Sequence, residues 1–348
     1  MIPLLVFAIL MASAKAYRDS SPRISSGRTR EIEWISPYIV TAGGCNVGGV
    51  PIEKEIQLLN SGQLLRRGEF GPLSRSRRIQ VASSCYDIGI PLHQASSIRK
   101  QLLIQKVTSG SWLLKDEEVI DCIVDKFCRK RSILKLAYEY DLPPVSILRC
   151  IIKQRVKEAS PHIIRKYGGT HRLKQITMMV IHEQHQNYLS DILTSSWERR
   201  QLQIAKAHDS VGYQRDVTAG ASWESQVFKF FDLHDIKYIK EKEMKQAGIL
   251  TRCTPDCLFI DDVYINGEQV RWLELKSFYA SGLDEVRKFT EKSIVRQVEK
   301  YERTFGEGHG AVILRNGFSK KISDMHKSTL FLDGGPLFIP KDLNLTFE

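Results

Sequence analysis

Residues 254–278 read TPDCLFIDDVYINGEQVRWLELKSF, and this stretch indicates how the second half of the chain folds. It contains two runs rich in β-branched and aromatic residues, separated by Asn266-Gly267. Asn-Gly between two such runs is a strong indication of a β-hairpin, because both residues tolerate the positive φ angles of a type I′ turn. We therefore predict two antiparallel strands joined at Asn266-Gly267.

The hairpin carries three ionisable side chains that the predicted pairing brings close together. Glu274 and Lys276 are two residues apart on the second strand, so both point to one face. Leu273 and Leu275 point to the other face, where we expect them to be buried. Asp256 begins the first strand, and antiparallel pairing across the turn is predicted to bring it near Lys276.

Two carboxylates and a lysine held together suit metal-assisted hydrolysis of a phosphodiester bond. Carboxylates offer hard oxygen ligands to Mg²⁺, which keeps water and substrate phosphate in its other positions. A lysine can position the attacking water or stabilise an anionic transition state. Carboxylates that converge without a cation or a proton repel each other, so their convergence indicates a bound ion. The alternative is a surface hairpin with an ordinary Glu–Lys pair.

The elements around the hairpin predict a small α/β domain with a mixed sheet flanked by helices. An amphipathic helix precedes it, with a buried stripe formed by Trp223, Val227, Phe230 and Phe231. Glu224 lies on the same helix and could add a further carboxylate to the site. The remaining elements are a short strand within residues 237–244, a long helix over 283–304, and strands within 310–316 and 329–333.

The preceding part of the chain is predicted to be helical and basic. Residues 1–220 carry a net charge of +12, whereas residues 221–348 carry −1. This asymmetry favours a polyanion partner for the first part, although a lysine-rich solvated surface is the alternative.

Two helix pairs with Gly or Pro turns, over residues 78–106 and 116–156, fit helix-turn-helix units. In such units the second helix can enter the major groove of DNA. We therefore expect Arg149, Lys153 and Arg155 to bind nucleic acid. A purely structural helix pair would give the same pattern.

We divide the chain into a poorly ordered leader over residues 1–75, a helical, basic, helix-turn-helix-like region over 76–219, and the α/β domain over 220–348. The leader is rich in Ser, Gly and Arg and shows little periodicity. Its first residues, MIPLLVFAILMASAKA, have the shape of a secretory signal but lack a basic start.

Seven cysteines at irregular spacing favour a reducing compartment, so we expect an N-terminal extension, with secretion as the alternative. No apolar run reaches the roughly 18 residues of a membrane-spanning helix, so no membrane partner is expected. Apolar residues at 42% and charged residues at 26% also exclude collagenous and wholly disordered classes.

Thr254-Pro255-Asp256 followed by Trp272-Leu273-Glu274-Leu275-Lys276 resembles the signature of PD-(D/E)XK nucleases. The wider sequence resembles the codanin-1-interacting nuclease family, which is itself similar to archaeal Holliday-junction resolvases. The resemblance covers about residues 80–320 and is strongest from residue 220 onward. It runs through SWESQVFKFF, TPDCLF, VRWLELKS, RQVEKYERTFG and AVIL.

The resemblance implies a restriction-endonuclease-like fold and a nuclease that uses Mg²⁺, for which Mn²⁺ is expected to substitute. It makes Asp256 and Glu274 metal ligands, assisted by Glu224, and Lys276 the catalytic lysine. It also matches Gln297 and Tyr301 to a Q-x-x-x-Y motif that many relatives carry. These two residues are one helical turn apart and share a face, which could equally be an ordinary polar face with a half-buried tyrosine.

The resemblance further implies a nuclear and cytoplasmic protein with a codanin-1-like partner. The expected substrate is nucleic acid, and structured or branched DNA is favoured over RNA. The alternative function is a non-catalytic nucleic-acid-binding adaptor whose nuclease-like domain is a docking surface.

Overall fold

A computed structural model of the chain describes residues 29–32, 49–158, 173–182, 192–211, 217–248, 254–306 and 308–334. It confirms a helical first half and a second half built on a mixed sheet flanked by helices. The described residues form two compact units: a sheet unit, made of residues up to Gln57 and from Val217 onward, and a helical unit between Leu58 and Asp216. The signal-like residues 1–16 lie outside the described residues.

Both predicted helix pairs are present in the helical unit. Its helices are α2 (Arg75–Ile88), α3 (Leu92–Gly110), α4 (Glu117–Cys128), α5 (Ile133–Tyr140), α6 (Pro144–Glu158), α7 (Leu173–Ile181) and α8 (Ser196–Ala207), and a 3₁₀ turn spans Ser111–Lys115. A shorter helix before them, α1 (Ile52–Asn60), crosses the boundary between the two units.

The helix ends follow from the residues at the turns. Gly89 ends α2 in the left-handed region at φ 75°, which glycine adopts without a steric penalty. Asp116 caps α4 by accepting hydrogen bonds from two backbone N–H groups of its first turn. Pro144 opens α6, where a missing N–H group costs nothing.

Helix α6 lies at the centre of the helical unit. It packs against α4, α5, α7 and α8, and Leu148, Ile151 and Ile152 are completely buried. The predicted turn before α6 and the spacing of its apolar residues therefore place these side chains in the core of the helical unit.

The sheet of the other unit contains six described strands, and the predicted hairpin forms its middle. The strands are β1 (Thr29–Ile32), β2 (Tyr238–Lys240), β3 (Cys257–Ile265), β4 (Glu268–Lys276), β5 (Gly310–Leu314) and β6 (Thr329–Asp333). Their order is β1-β3-β4-β5-β6, and β2 pairs with the start of β3. Asn266 and Gly267 both have positive φ angles, 52° and 84°, as a type I′ turn requires. Strands β4, β5 and β6 run parallel.

Helices cover both faces of the sheet. They are α9 (Val217–Leu233), α10 (Glu241–Gln246), α11 (Arg287–Thr290), α12 (Arg296–Phe305) and α13 (Lys320–Met325). Helix α9 packs on the face that carries Leu273 and Leu275, as expected, although Phe228 is more deeply buried there than the predicted Phe230. Helix α12 packs on the opposite face, against Trp272.

The described residues of the predicted leader up to Gln57 are ordered into the sheet unit. β1 pairs in parallel with β3, placing Thr29 opposite Asp262. The Val50 N–H donates to the Phe318 carbonyl at 2.8 Å, and the Lys320 N–H donates to the Val50 carbonyl at 2.8 Å. This corrects the prediction of a poorly ordered leader for residues 29–32 and 49–75, of which those from Leu58 onward belong to the helical unit, where Leu64 and Phe70 are buried. Local composition did not reveal the role of the residues in the sheet unit because their partners lie more than 200 residues away in the sequence.

The predicted long helix over 283–304 is divided into four helical segments of three kinds: 3₁₀ (Asp284–Val286), α11, π (Glu291–Val295) and α12. Its buried residues Val286, Thr290, Ile294 and Val298 are four apart. In a regular α-helix, residues four apart drift by about 40° around the axis. The wider π turn offsets part of this drift and keeps the buried residues on one face.

Candidate active site

The register of the hairpin places Asp256 beside Glu274. Near the turn, Ile265 pairs with Glu268, whereas near the strand ends Cys257 pairs with Leu273. The register shifts between these two positions, because an advance of five residues along β3 corresponds to an advance of only two residues along β4. Asp256 was predicted to approach Lys276; the shift moves it back along β4 toward Glu274, and the charge of Lys276 still acts on it. There it accepts a hydrogen bond from the Leu275 N–H at 2.7 Å.

Both carboxylate oxygens of Glu274 have partners. Lys276 Nζ lies 2.5 Å from Oε1, and the Tyr301 hydroxyl donates to Oε2 at 2.9 Å. Glu274 is only 5% exposed, so this carboxylate is fixed in a mostly dry environment. The Tyr301 hydroxyl also lies 3.1 Å from the Thr254 carbonyl. Tyr301 of α12 therefore links the strand of Glu274 to the start of the Thr-Pro-Asp segment.

The environment of Asp256 opposes its ionisation. Burial, followed by the charge of Glu274, raises the pKa of Asp256 to about 7. The Leu275 N–H and the charge of Lys276 act in the opposite direction but do not offset these two effects. Asp256 therefore retains its proton to near-neutral pH unless a cation lies beside it.

Glu224 faces the same group of charges from α9. Its side chain remains exposed, yet partial desolvation raises its pKa, and the charges of Glu241 and Glu274 raise it further. Glu224, Glu241, Asp256 and Glu274 therefore share one electrostatic environment.

Sequence reasoning missed Glu241. It is the first residue of α10, and residues 237–244 were predicted to form a strand that in fact ends at Lys240. The segment alternates Lys and Glu without a spacing that would single out one carboxylate. Glu241 is placed at the site by the Thr254 hydroxyl, which donates to its Oε1 at 3.0 Å.

Gln297 lies one turn before Tyr301 on α12, as its spacing predicted. Its side-chain oxygen is buried and has no hydrogen-bond partner among the described residues. A buried amide oxygen without a partner is energetically costly and is available to a polar ligand. The described contacts do not join Gln297 to Asp256 or Glu274.

The carboxylates suit a hard divalent cation. Mg²⁺ commonly uses one or two protein carboxylates and keeps several waters, and Asp256 and Glu274 can provide these. A cation would also relieve the repulsion that keeps Asp256 protonated. Within the described residues, however, no group of three or more His, Cys, Asp or Glu is arranged to hold a metal ion. The positive charge beside the Glu274 carboxylate is the Lys276 ammonium, which forms an ion pair with it.

Residues 179–334 match the family described as "Protein of unknown function TPD sequence-motif". The matched span contains Thr254-Pro255-Asp256, Glu274 and Lys276. No curated protein and no solved structure matches the chain. Across the described residues, every helix is too short or too polar to span a membrane.

The three basic residues predicted to bind nucleic acid lie on different sides of α6. Lys153 is exposed, and Arg149 lies on the same edge. The Nε of Arg149 is buried without a hydrogen-bond partner among the described residues. Arg155 points to the opposite side, where it pairs with the buried Glu198 at 2.8 Å. We therefore correct the interpretation of Arg155 to a structural role and add Lys157, which is exposed one turn after Lys153.

Proposed function

We propose that this chain is a Mg²⁺-dependent nuclease of the PD-(D/E)XK type, with a restriction-endonuclease-like sheet unit. The observation that carries the proposal is the convergence of Asp256, directly before β3, with Glu274 and Lys276 on β4. The raised pKa of Asp256 adds to it, because two crowded carboxylates without a cation cannot easily both ionise. A surface Glu–Lys pair would have no need for a second, half-buried carboxylate.

Each residue has a distinct role in the proposed reaction. Asp256 and Glu274, assisted by Glu224, would hold Mg²⁺, which when bound stabilises charge developing on the phosphate. Lys276 positions the attacking water or stabilises the anionic transition state. Tyr301 keeps the Glu274 carboxylate in a fixed orientation through its hydroxyl. Gln297 offers its unpartnered oxygen to a water molecule or to the substrate.

The proposed substrate is nucleic acid, with structured or branched DNA favoured over RNA. The basic edge of α6, formed by Arg149, Lys153 and Lys157, supports a polyanion partner. We carry over from the family resemblance a codanin-1-like protein partner, a nuclear and cytoplasmic location, and the substitution of Mg²⁺ by Mn²⁺.

One observation favours the alternative function of a non-catalytic adaptor. Lys276 already pairs with Glu274, and an ion pair of this kind can simply stabilise a sheet. In an adaptor, the hairpin would serve as part of a docking surface and its carboxylates would have no catalytic role.

The proposal is tested by incubating the purified full chain with single-stranded, duplex, flap and four-way DNA and with RNA, with and without Mg²⁺. Asp256→Asn and Glu274→Gln should each abolish Mg²⁺-dependent cleavage, because each removes a ligand charge and almost no volume. Glu268→Gln, an exposed position on the same strand β4, is the matched control and should cleave normally. Cleavage at the wild-type rate by both site variants would contradict the proposal.

A further inference from the structure

We infer that Thr254 and Glu241 are positioning residues that fix the two site carboxylates, the half-buried Asp256 and the buried Glu274, for the reaction. This inference rests on the proposed function and assigns a role to the threonine of the Thr-Pro-Asp segment. Neither residue is expected to touch substrate or metal. Both are expected to act through the groups that they hold.

The backbone around Asp256 is anchored by α10. The Glu241 N–H donates to the Asp256 carbonyl at 3.2 Å, so the first residue of α10 anchors the residue that carries the site carboxylate. The Thr254 hydroxyl donates to Glu241 Oε1 at 3.0 Å. Two contacts therefore connect α10 to the Thr-Pro-Asp segment, one from each side of Pro255.

Tyr301 connects Thr254 to the Glu274 carboxylate. The Tyr301 hydroxyl lies 3.1 Å from the Thr254 carbonyl and 2.9 Å from Glu274 Oε2. A hydroxyl carries one proton, so it donates to one of these acceptors at a time while staying close to both. Displacement of Thr254 would therefore disturb the tyrosine that orients Glu274.

The Thr254–Glu241 contact is also a hydrogen bond to a charged acceptor, which is stronger than a neutral one. Lys245, one turn later on α10, forms an ion pair with the same carboxylate. Both groups contact Oε1, so this oxygen of Glu241 is held in place by a cation and by the Thr254 hydroxyl.

The chain offers variants that separate the hydrogen bond from side-chain size. Thr254→Val keeps the branched shape and removes the hydroxyl, whereas Thr254→Ser keeps the hydroxyl. Glu241→Ala removes the acceptor, whereas Glu241→Gln keeps an oxygen that can accept. Thr304→Val is the matched control, because among the described residues the Thr304 hydroxyl donates within its own helix, to the Lys300 carbonyl at 2.8 Å.

The experiment measures single-turnover cleavage at saturating Mg²⁺, well below the unfolding temperature, with the thermal midpoint of each variant recorded in parallel. Thr254→Val and Glu241→Ala should each slow cleavage by roughly 10- to 100-fold, as expected when catalytic groups are misplaced. The double variant should be no slower than the slower single variant, since the two residues act as one unit. Thr254→Ser, Glu241→Gln and Thr304→Val should stay within a few-fold of the wild type.

Mn²⁺ binding, followed by the electron paramagnetic resonance of the free ion, provides a second readout. Thr254→Val should bind Mn²⁺ more weakly than Thr254→Ser does. If Asp256→Asn abolishes cleavage but Thr254→Val cleaves and binds Mn²⁺ like the wild type, the inference is wrong and the proposed function stands. Wild-type protein that neither binds Mn²⁺ nor shows Asp256-dependent cleavage overturns the proposed function and the inference together.

Discussion

At the scale of single residues, the protonation of Asp256 links the site to stability. In the folded chain its pKa is raised from an ordinary value of 3.8 to about 7. Between these two values the folded state keeps a proton that the unfolded chain has already lost. The contribution of Asp256 to the free energy of unfolding therefore falls as the pH rises from 3.8 to about 7.

We expect Asp256→Asn to raise the thermal midpoint at pH 8 in the presence of EDTA, because asparagine needs no proton and its oxygen can still accept from Leu275. A rise of roughly 2–4 °C would correspond to about 1 kcal/mol in a domain of this size. The difference between wild type and variant should shrink toward pH 5, as thermal unfolding at several pH values will show.

Asp262→Asn, a partly exposed position on the same strand, serves as the control and should show no such pH-dependent gain. An Asp256→Asn variant that is less stable than the wild type at pH 8 would contradict this account of the site.

At the scale of elements, helix α6 separates two roles that the sequence could not distinguish. Arg149, Lys153 and Arg155 were grouped because all are basic and close in sequence. Successive residues of an α-helix are rotated by about 100°, however, so position 155 lies on the opposite side of α6 from positions 149 and 153. The opposite side of α6 carries the ion pair to Glu198 and lies over the Phe127 ring.

Alanine variants on α6 should therefore fall into two classes. Lys153→Ala and Lys157→Ala should weaken binding to duplex DNA and lower the salt slope by about 1 each, with unfolding free energies within about 0.5 kcal/mol of the wild type. Arg155→Ala should destabilise the chain by about 2–3 kcal/mol, because it leaves the Glu198 carboxylate without its cation.

Binding titrations at several salt concentrations, together with urea unfolding, distinguish these classes. Equal losses of DNA affinity in all three variants, with unchanged stability, would restore the original grouping of Arg155 with the nucleic-acid-binding residues.

Helix α1 shows how the described leader is tied to the sheet unit. Glu55 is completely buried and accepts hydrogen bonds from Tyr279 at 3.0 Å, Ser281 at 2.6 Å and the Gly282 N–H at 3.1 Å. Burial raises the pKa of Glu55, although these donors act against the shift. The bonded loop directly follows Lys276, so α1 supports the segment into which the site strand leads.

Glu55→Ala should lower the free energy of unfolding by about 1–3 kcal/mol, because it leaves buried donors without an acceptor. Glu53→Ala, an exposed position on the same helix, should change it by less than about 0.5 kcal/mol. Chemical denaturation of the two variants provides the comparison. Equal stability of both would mean that α1 does not anchor this loop.

At the scale of the whole molecule, the sequence predicted features that depend on local signals. Asn266-Gly267 predicted the hairpin, Pro144 predicted the start of α6, and the apolar stripe predicted α9. The sequence did not predict β1, the burial of Glu55 or the register shift in the hairpin. These features depend on partners far apart in the chain, such as Glu55 and Tyr279, which are 224 residues apart.

The candidate site shows the same division. The spacing of Glu274 and Lys276 on one strand was sufficient to place both on one face. The position of Asp256 beside Glu274 depends on extra residues in β3, and the involvement of Glu241 depends on α10 starting where a strand was expected. Neither detail has a local sequence pattern that would have revealed it.

Substitution of Lys276 shows whether the converging residues catalyse phosphodiester cleavage. Under single-turnover conditions with Mg²⁺, Lys276→Ala should cleave at least about 100-fold more slowly than the wild type, while substrate binding in Ca²⁺ falls only slightly. Lys276→Arg should remain slow, since a planar guanidinium does not replace a compact ammonium that positions water. The exposed Lys288→Ala should cleave normally. Cleavage by Lys276→Ala at the wild-type rate would contradict the catalytic account and favour a docking surface.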